Sequence, residues 1–241
     1  MNKIILCGFD YSNSNTYKEL TKVLIKSIEK YEPDALWILN WLCEPDSSGQ
    51  IRGIVSNTVK LNKWVEELNN CDDDDNVIFL DCDMLLIGPL FDVFEKDFDI
   101  AYTKREEWHK LPLNGGAIYV KVNNKTRLFF NMFKEINNKM YNNPEFHQKW
   151  RDKYAGINQA AFGYLLENKD YNARIIDIPC SKWNVCRFKQ ESVDKDARLI
   201  HFKGSLRKAL FSKDPVPKDI EFLVKKWKET KKEYDKNPIN I

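Results

Sequence analysis

The chain has 241 residues, 43% of them hydrophobic, enough for one α/β domain with a sizeable core. Its 38 lysines and arginines nearly balance 36 acids, for a net charge of +2, which argues against a purely electrostatic nucleic-acid binder or a protein drawn to anionic membranes. Met1-Asn2-Lys3-Ile4-Ile5-Leu6-Cys7 lacks the apolar length of a signal peptide, and no stretch approaches the ~20 apolar residues that cross a bilayer, so there is no expected transmembrane segment and the expected location is cytoplasmic. The six cysteines (7, 43, 71, 82, 180 and 186) are scattered and expected to remain thiols, and without a C-x-x-C pair and with only three histidines a structural zinc site is not expected.

Lys3 to Cys7 reads as a first strand, followed by a polar turn through Asp10 to Thr16 and a helix with Leu20, Val23, Leu24 and Ile28 on one face. Ala35 to Leu42 reads as a second strand, so the chain opens with a βαβ unit and predicts a parallel sheet with helical crossovers. Polar, glycine-containing residues from Glu44 to Ser56 predict a loop, and a helix then carries Leu61, Trp64, Val65 and Leu68. Val77-Ile78-Phe79-Leu80 predicts a buried strand, Pro89 to Phe94 a short helical segment, and Asp99 to Tyr102 another strand. Ala117 to Val120 is a further strand preceded by Asn114-Gly115-Gly116, whose glycines suggest a close approach to the backbone. A helix with Phe129, Met132, Phe133, Ile136 and Met140 in register leads into an Asn-rich irregular stretch with Pro144. The next helix buries Ile157, Ala160, Ala161, Tyr164 and Leu165 and leaves Gln159 off that face near its start. Short strands from Arg174 to Ile178 and Arg198 to Phe202 precede a last helix from Pro217, with Ile220, Leu223, Val224 and Trp227 inward and lysines outward. With no internal repeat and no boundary signal, residues 1–241 are expected to form a single domain with the helix at about 217–234 packed on it.

Asp81-Cys82-Asp83 closes the apolar run that ends at Leu80. Ligands in open α/β sheets bind outside the carboxyl ends of strands, where these carboxylates fall, and oxygen ligation suits hard divalent ions that also hold a substrate phosphate. The alternative is a strand-end turn with solvated acids. Asp72-Asp73-Asp74-Asp75, before the same strand, reads as a solvated loop at the opposite sheet edge.

Lys60-Leu61 with Trp64, the Asp81-Cys82-Asp83 strand end, Asn114-Gly115-Gly116, and His201-Phe202-Lys203-Gly204 follow one another in an order that resembles the DxD nucleotide-sugar transferases of GT-A fold, most closely glycosyltransferase family 8 and its glycogenin-like members, over roughly residues 1 to 208. The resemblance implies an α/β fold with a mixed, mainly parallel sheet sandwiched by helices. It implies Asp81, Asp83 and His201 as ligands of Mn²⁺ (or Mg²⁺), the histidine being otherwise a packed or capping residue. It further implies Lys60, Lys203 and Gly204 at the donor diphosphate, with Arg207 or Lys208 in a nearby cationic position, and Asn114, Gly115, Gly116 and Gln159 at the sugar. Asp10, Asn15 and Tyr17 are implied at the nucleobase, although Tyr17 also fits the core of its helix.

The family's Asp-Gln pair reads Asn158-Gln159 here, and an asparagine is neither a nucleophile nor a base, so no carboxylate mechanism runs through residue 158. Transfer of a hexosyl unit from a nucleoside-diphosphate sugar, uridine-based, to an acceptor hydroxyl with front-face retention is the expected activity, and the acceptor is an undetermined glycan, protein or small molecule. An inverting member with a base elsewhere is left open, as is an inactive nucleotide-sugar-binding protein. A haloacid-dehalogenase-type phosphohydrolase shares the apolar-run-DxD signature but places it on the first strand. Residues from Glu106 to Leu113 and from Tyr141 to Tyr154 read as loops shaping an acceptor site, with Trp108 and Trp150 as candidate sugar platforms.

Overall fold

The computed structural model describes residues 1–10, 16–43, 49–105, 111–186 and 195–239. β1 (Asn2–Asp10), α1 (Thr16–Tyr31) and β2 (Leu36–Cys43) form the opening βαβ unit, and β3 (Asn76–Asp81) pairs parallel to β1 on its other side. β6 (Leu113–Lys121) runs antiparallel to β3 and to β5 (Ile100–Lys104), and β7 (Ile175–Pro179) returns parallel to β5. The order β2-β1-β3-β6-β5-β7 makes a six-stranded sheet in which β6 alone is reversed.

Both faces of this sheet are covered, which is why its strands read as continuous apolar runs instead of alternating ones. Ile5 and Cys7 of β1 and Val77 and Phe79 of β3 face α2 (Gly49–Asn69), α3 (Asn124–Asn142) and α5 (Ile157–Asn168), where Trp64, Phe129, Phe133 and Phe162 pack. Ile4, Leu6, Ile78 and Leu80 point the other way, against Leu24, Ile25 and Ile28 of α1. A second sheet of two strands, β4 (Met84–Leu86) and β8 (Leu199–His201), sits over the carboxyl edge of β3. α6 (Cys180–Trp183) precedes β8; α7 (Ser205–Phe211) and α8 (Glu221–Lys236) follow it, and Leu223, Val224 and Trp227 pack on Leu20 and Val23 of α1 and Leu206 of α7. No described helix is long and apolar enough to cross a membrane.

Several boundaries depart from the sequence expectation. Residues from Gly49 to Ser56 are helical, because Ile54, Thr58, Leu61 and Val65 continue one inward stripe through the polar composition that suggested a loop. Asn114, Gly115 and Gly116 lie inside β6, past the last β3 pairing at Leu80 with Ala117, so they project beyond the end of β3. The stretch around Pro144 is helix α4 (Pro144–Tyr154), begun by a hydrogen bond from the Phe146 N–H to the Asn143 side chain with Pro144 in its first turn. β4 and α7 had no distinct sequence signal, and the strand ending at His201 joins the small sheet, not the large one.

Candidate functional site

Asp81 is the last residue of β3, and Cys82-Asp83 turn the chain into β4, whose antiparallel register sets Met84 opposite His201. The Phe202 N–H donates to the Asp83 carbonyl at 2.7 Å and fastens that turn to the end of β8. His201 Nε2 is thereby 3.2 Å from Asp83 Oδ1 and 3.8 Å from Asp81 Oδ2. One ligand atom from each of the three residues lies within 4.8 Å of the others.

Cations from two more elements surround these carboxylates. Lys60 of α2 donates to Asp81 Oδ1 at 2.6 Å while its ammonium stands 4.7 Å over the Trp64 ring. Arg207 of α7 donates to Asp83 Oδ2 at 3.1 Å and to the Tyr17 hydroxyl at 2.5 Å, with its guanidinium carbon 4.9 Å over the Tyr17 ring. Burial alone would push the Asp83 carboxyl up, but the charges of His201, Arg207 and Lys60 and the hydrogen bond from His201 outweigh it and hold the group below the ordinary carboxylate range. Lys60 shows the mirror effect: burial works to lower it, and Asp81 raises it above the ordinary lysine value.

The other face of His201 is fixed by a residue that the sequence did not single out. Asn184 is fully buried, and its Nδ2 donates to Thr103 Oγ1 at 2.8 Å while Thr103 Oγ1 itself donates to the Asn114 carbonyl at 2.7 Å. The amide is therefore turned with Oδ1 toward His201 Nδ1, 3.2 Å away, so Nδ1 carries a proton and Nε2 is the nitrogen presented to the two aspartates. The one sequence cue was a polar residue between Trp183 and Val185. Two carboxylates and an imidazole nitrogen held in this orientation are a suitable donor set for a hard or borderline divalent ion.

Two adjoining cavities meet at Asn57, Lys60 and Asp81. The one of 270 Å³ is lined by Phe9, Tyr17, Lys60, Asp81 and Asp83, and the one of 170 Å³ by Asn114, Gly115, Gly116, Asn158, Gln159, His201 and Lys203. Gln159 accepts from the Gly115 N–H at 3.2 Å and donates to the Tyr154 carbonyl at 2.7 Å; Asn158 donates to the Asn57 carbonyl at 3.0 Å, and its buried Oδ1 has no partner among the described residues. Lys203 is half-buried, and burial followed by the charge of Arg105 lowers its ammonium pKa. Gly116 admits no side chain, since a Cβ there would sit 2.5 Å from His201 Cε1 and 2.6 Å from Met84 Cε. The close approach signalled by this glycine is thus to a histidine of the site.

Other candidates fall elsewhere. Gly204 lines neither cavity and caps α7 at φ +58°. Asp10 ends β1 at the same sheet edge, while Asn15 and Trp108 lie outside the described residues. Trp150 stacks on Tyr154, with centroids 6.1 Å apart, and meets Tyr164 edge-on at 5.1 Å, so it serves packing and is not a free platform. The acid run at the other edge is not wholly solvated either: Asp75 is 3% exposed and ion-paired to Lys3 at 2.5 Å, because the sheet edge there offers a lysine beside the turn.

Comparison with solved structures finds the same architecture among glycosyltransferases. A glycosyltransferase involved in the glycosylation of the major capsid of PBCV-1 matches with a TM-score of 0.61 at 14% identity, over 86% of this chain and 96% of that one. The galactosyltransferase LgtC, in complex with donor and acceptor sugar analogs, matches at 0.57 and 14% identity over 96% and 95%. The apo form of GlyE from Streptococcus pneumoniae TIGR4 matches at 0.60 and 12% identity over 95% of this chain and 59% of that one. No protein-family model and no curated protein sequence matches the chain. At these identities the likeness establishes the fold: a GT-A-type α/β architecture with a mixed, mainly parallel sheet between helices, of the kind found in glycosyltransferases resembling family 8.

Proposed function

We propose that this chain is a divalent-metal-dependent glycosyltransferase that moves a hexosyl unit from a nucleoside-diphosphate sugar, uridine-based, to an acceptor hydroxyl in the cytoplasm, with retention of configuration. The observation that carries the reading is the meeting of Asp81, Asp83 and His201 at the junction of two cavities on a glycosyltransferase fold. Asp81, Asp83 and His201 would hold Mn²⁺ or Mg²⁺, which when bound supplies Lewis-acid stabilisation of the departing diphosphate. Lys60 and Lys203 add fixed positive charge on the same side, and the wider cavity beside Phe9 and Tyr17 takes the nucleoside. Gln159, held at both ends by backbone, and Asn114 border the space left for the sugar.

Retention without a protein base is supported by the sugar-side lining. Among the described residues there its only carboxylate is Asp81, already engaged by Lys60, and Asn158 has no acid to offer. The acceptor hydroxyl then attacks on the face from which the diphosphate departs, the bond from the anomeric carbon to the phosphate oxygen breaks, and that oxygen takes the hydroxyl proton.

The test is nucleotide release from UDP-, GDP- and TDP-sugars, with and without Mn²⁺, by wild type and Asp83→Asn. The expected result is metal-dependent release from a UDP-sugar that the variant loses by at least about 100-fold. Phosphate release from simple phosphoesters instead would replace this reading with a phosphohydrolase. Binding of UDP and metal without release, even with acceptors supplied, would replace it with a nucleotide-sugar-binding protein.

A further inference from the structure

A third depression, of 240 Å³, adjoins the sugar-side cavity through Asn57 and Gly156, and none of the metal or donor roles above uses it. Its walls are Ile54 and Asn57 of α2, His147 and Arg151 of α4, and the Ala155-Gly156 link into α5. It also touches the wider cavity, through Gly53 and Asn57, and it stays open to an incoming acceptor while the donor fills the other two cavities.

The two ionisable groups on these walls, His147 and Arg151, both offer donors, while the Asn57 amide is already bonded to the Gly53 carbonyl at 2.7 Å. Arg105, Arg127, Arg174, Arg198 and Arg207 each make a hydrogen bond or ion pair. Arg151 is half-buried and is the one arginine with a described side chain whose guanidinium makes neither among the described residues. His147 lies one helical turn before it on the same face, is 6% exposed, and has a buried Nε2 with no partner among the described residues. Burial, then the charge of Arg151, lowers the His147 pKa and favours a neutral imidazole with one N–H to donate. Gly156 begins α5 with no side-chain cap, leaving the first-turn N–H groups of that helix at the boundary between this depression and the sugar site. Ala155, at φ 68°, holds the link in a backbone region that a residue with a side chain rarely adopts, and that link sets Arg151 and the start of α5 around one space.

An unpaired guanidinium, an imidazole and a bare helix start around one groove are the recognition chemistry of an oxyanion. We infer that the acceptor carries an anionic oxygen group, a phosphoryl or a carboxylate, which Arg151 binds in this groove while its hydroxyl faces the donor. This rests on the transferase reading. It makes Arg151 a specificity residue for the acceptor and assigns it no part in holding the nucleotide.

The experiment is calorimetric titration of glucose 6-phosphate, glucuronate and methyl glucoside into the full chain, with and without saturating UDP and Mn²⁺, for wild type, Arg151→Gln and Arg151→Lys. An anionic sugar is expected to bind about tenfold or more tightly than methyl glucoside with UDP present, the size of one charge-assisted contact. Arg151→Gln should abolish that preference, Arg151→Lys should keep part of it, and both should bind UDP as wild type does. Whichever anionic sugar is preferred identifies phosphoryl or carboxylate. Equal binding of anionic and neutral sugars overturns the inference, as does a preference that survives Arg151→Gln or vanishes when UDP occupies the donor cleft. Failure of UDP itself to bind strikes the transferase reading instead, and the Arg151 dependence of sugar binding then decides the oxyanion site by itself.

Discussion

β3 has acids at both ends, and the two ends use them differently. At its start, Asp75 is met by Lys3 at 2.5 Å and by the backbone N–H of Asp72 at 3.0 Å, and it lines none of the cavities described above. At its far end, Asp81 and Asp83 also have close polar partners, but Lys60, His201 and Arg207 arrive from α2, β8 and α7 and leave a cavity of 270 Å³ beside the carboxylates. Both clusters contain buried acid, at 3% exposure for Asp75 and 6% for Asp83. What separates a structural anchor from a candidate ligand set is whether the partners fill the surrounding volume. The unfilled end is also the one at which two sheets meet, so its geometry depends on contacts far apart in sequence.

The widest gap between the two ends should appear in metal binding. Asp83→Asn removes one carboxylate from the ligand set and is expected to weaken Mn²⁺ binding by at least about 100-fold, read by titration of the paramagnetic ion on protein whose far-ultraviolet circular dichroism shows the wild-type fold. Wild-type metal affinity in this variant would break the assignment of the carboxyl edge. Asp75→Asn is the counterpart: it leaves Lys3 buried without its anion and should lower stability by about 3 kcal/mol while Mn²⁺ affinity stays unchanged. Burial would raise the Asp75 pKa, but the hydrogen bonds from Lys3 and the chain's first amino group bring it below 3.8. A depressed folded-state value means that this stabilisation is present above about pH 3.8 and is lost as the pH falls through the lower folded value. The difference in stability between wild type and Asp75→Asn, measured by chemical denaturation across pH, should therefore shrink on the acid side of that value. A difference that grows there would remove the anchor role.

The contrast also explains which features the sequence made legible. Apolar runs and stripes such as Val77-Ile78-Phe79-Leu80 and Leu61-Trp64-Val65-Leu68 record local burial, and they led correctly to β3 and to most of α2. Asp81, Asp83 and His201 were legible through their order and resemblance, since nothing local at His201 distinguishes a ligand from a packed imidazole. Asn184 and Thr103 were not, because their function is defined by hydrogen bonds between residues on four separate segments. Gly116 was noticed for the right physical reason, lack of room, but the neighbour that fills the space is known only once β4 and β8 pair. The helical character of residues 144–154 was hidden by the asparagines before it, one of which, Asn143, is the helix cap itself.

Two smaller effects would sharpen the contrast at the carboxyl edge. Asn184→Leu removes the oxygen that fixes the His201 tautomer and should weaken Mn²⁺ binding by about 10- to 100-fold, whereas Asn184→Asp still accepts from Nδ1 and should stay within about threefold of wild type. The paired substitution separates positioning from bulk stability, because both variants lose the donation to Thr103 and only one loses the tautomer; the nitrogen chemical shifts of His201 read the tautomer directly. Equal loss in both would mean that Asn184 acts only as a core hydrogen bond.

The adjacent glycines make a finer cut. A methyl at Gly116 would meet His201 Cε1 at 2.5 Å and Nδ1 at 2.7 Å, and a ring held by Asn184 on one side and Asp83 on the other cannot yield without leaving the ligand geometry. Gly116→Ala should therefore reduce Mn²⁺ affinity by about tenfold. A methyl at Gly115 meets Gln159 Cγ at 3.2 Å, a contact that a side-chain shift of a few tenths of an ångström relieves, so Gly115→Ala should leave the metal alone and disturb only the sugar side. If Gly116→Ala kept full metal affinity, His201 would have freedom that its buried hydrogen bonds deny it, and the rigid edge inferred for this end of β3 would have to be replaced by a mobile one.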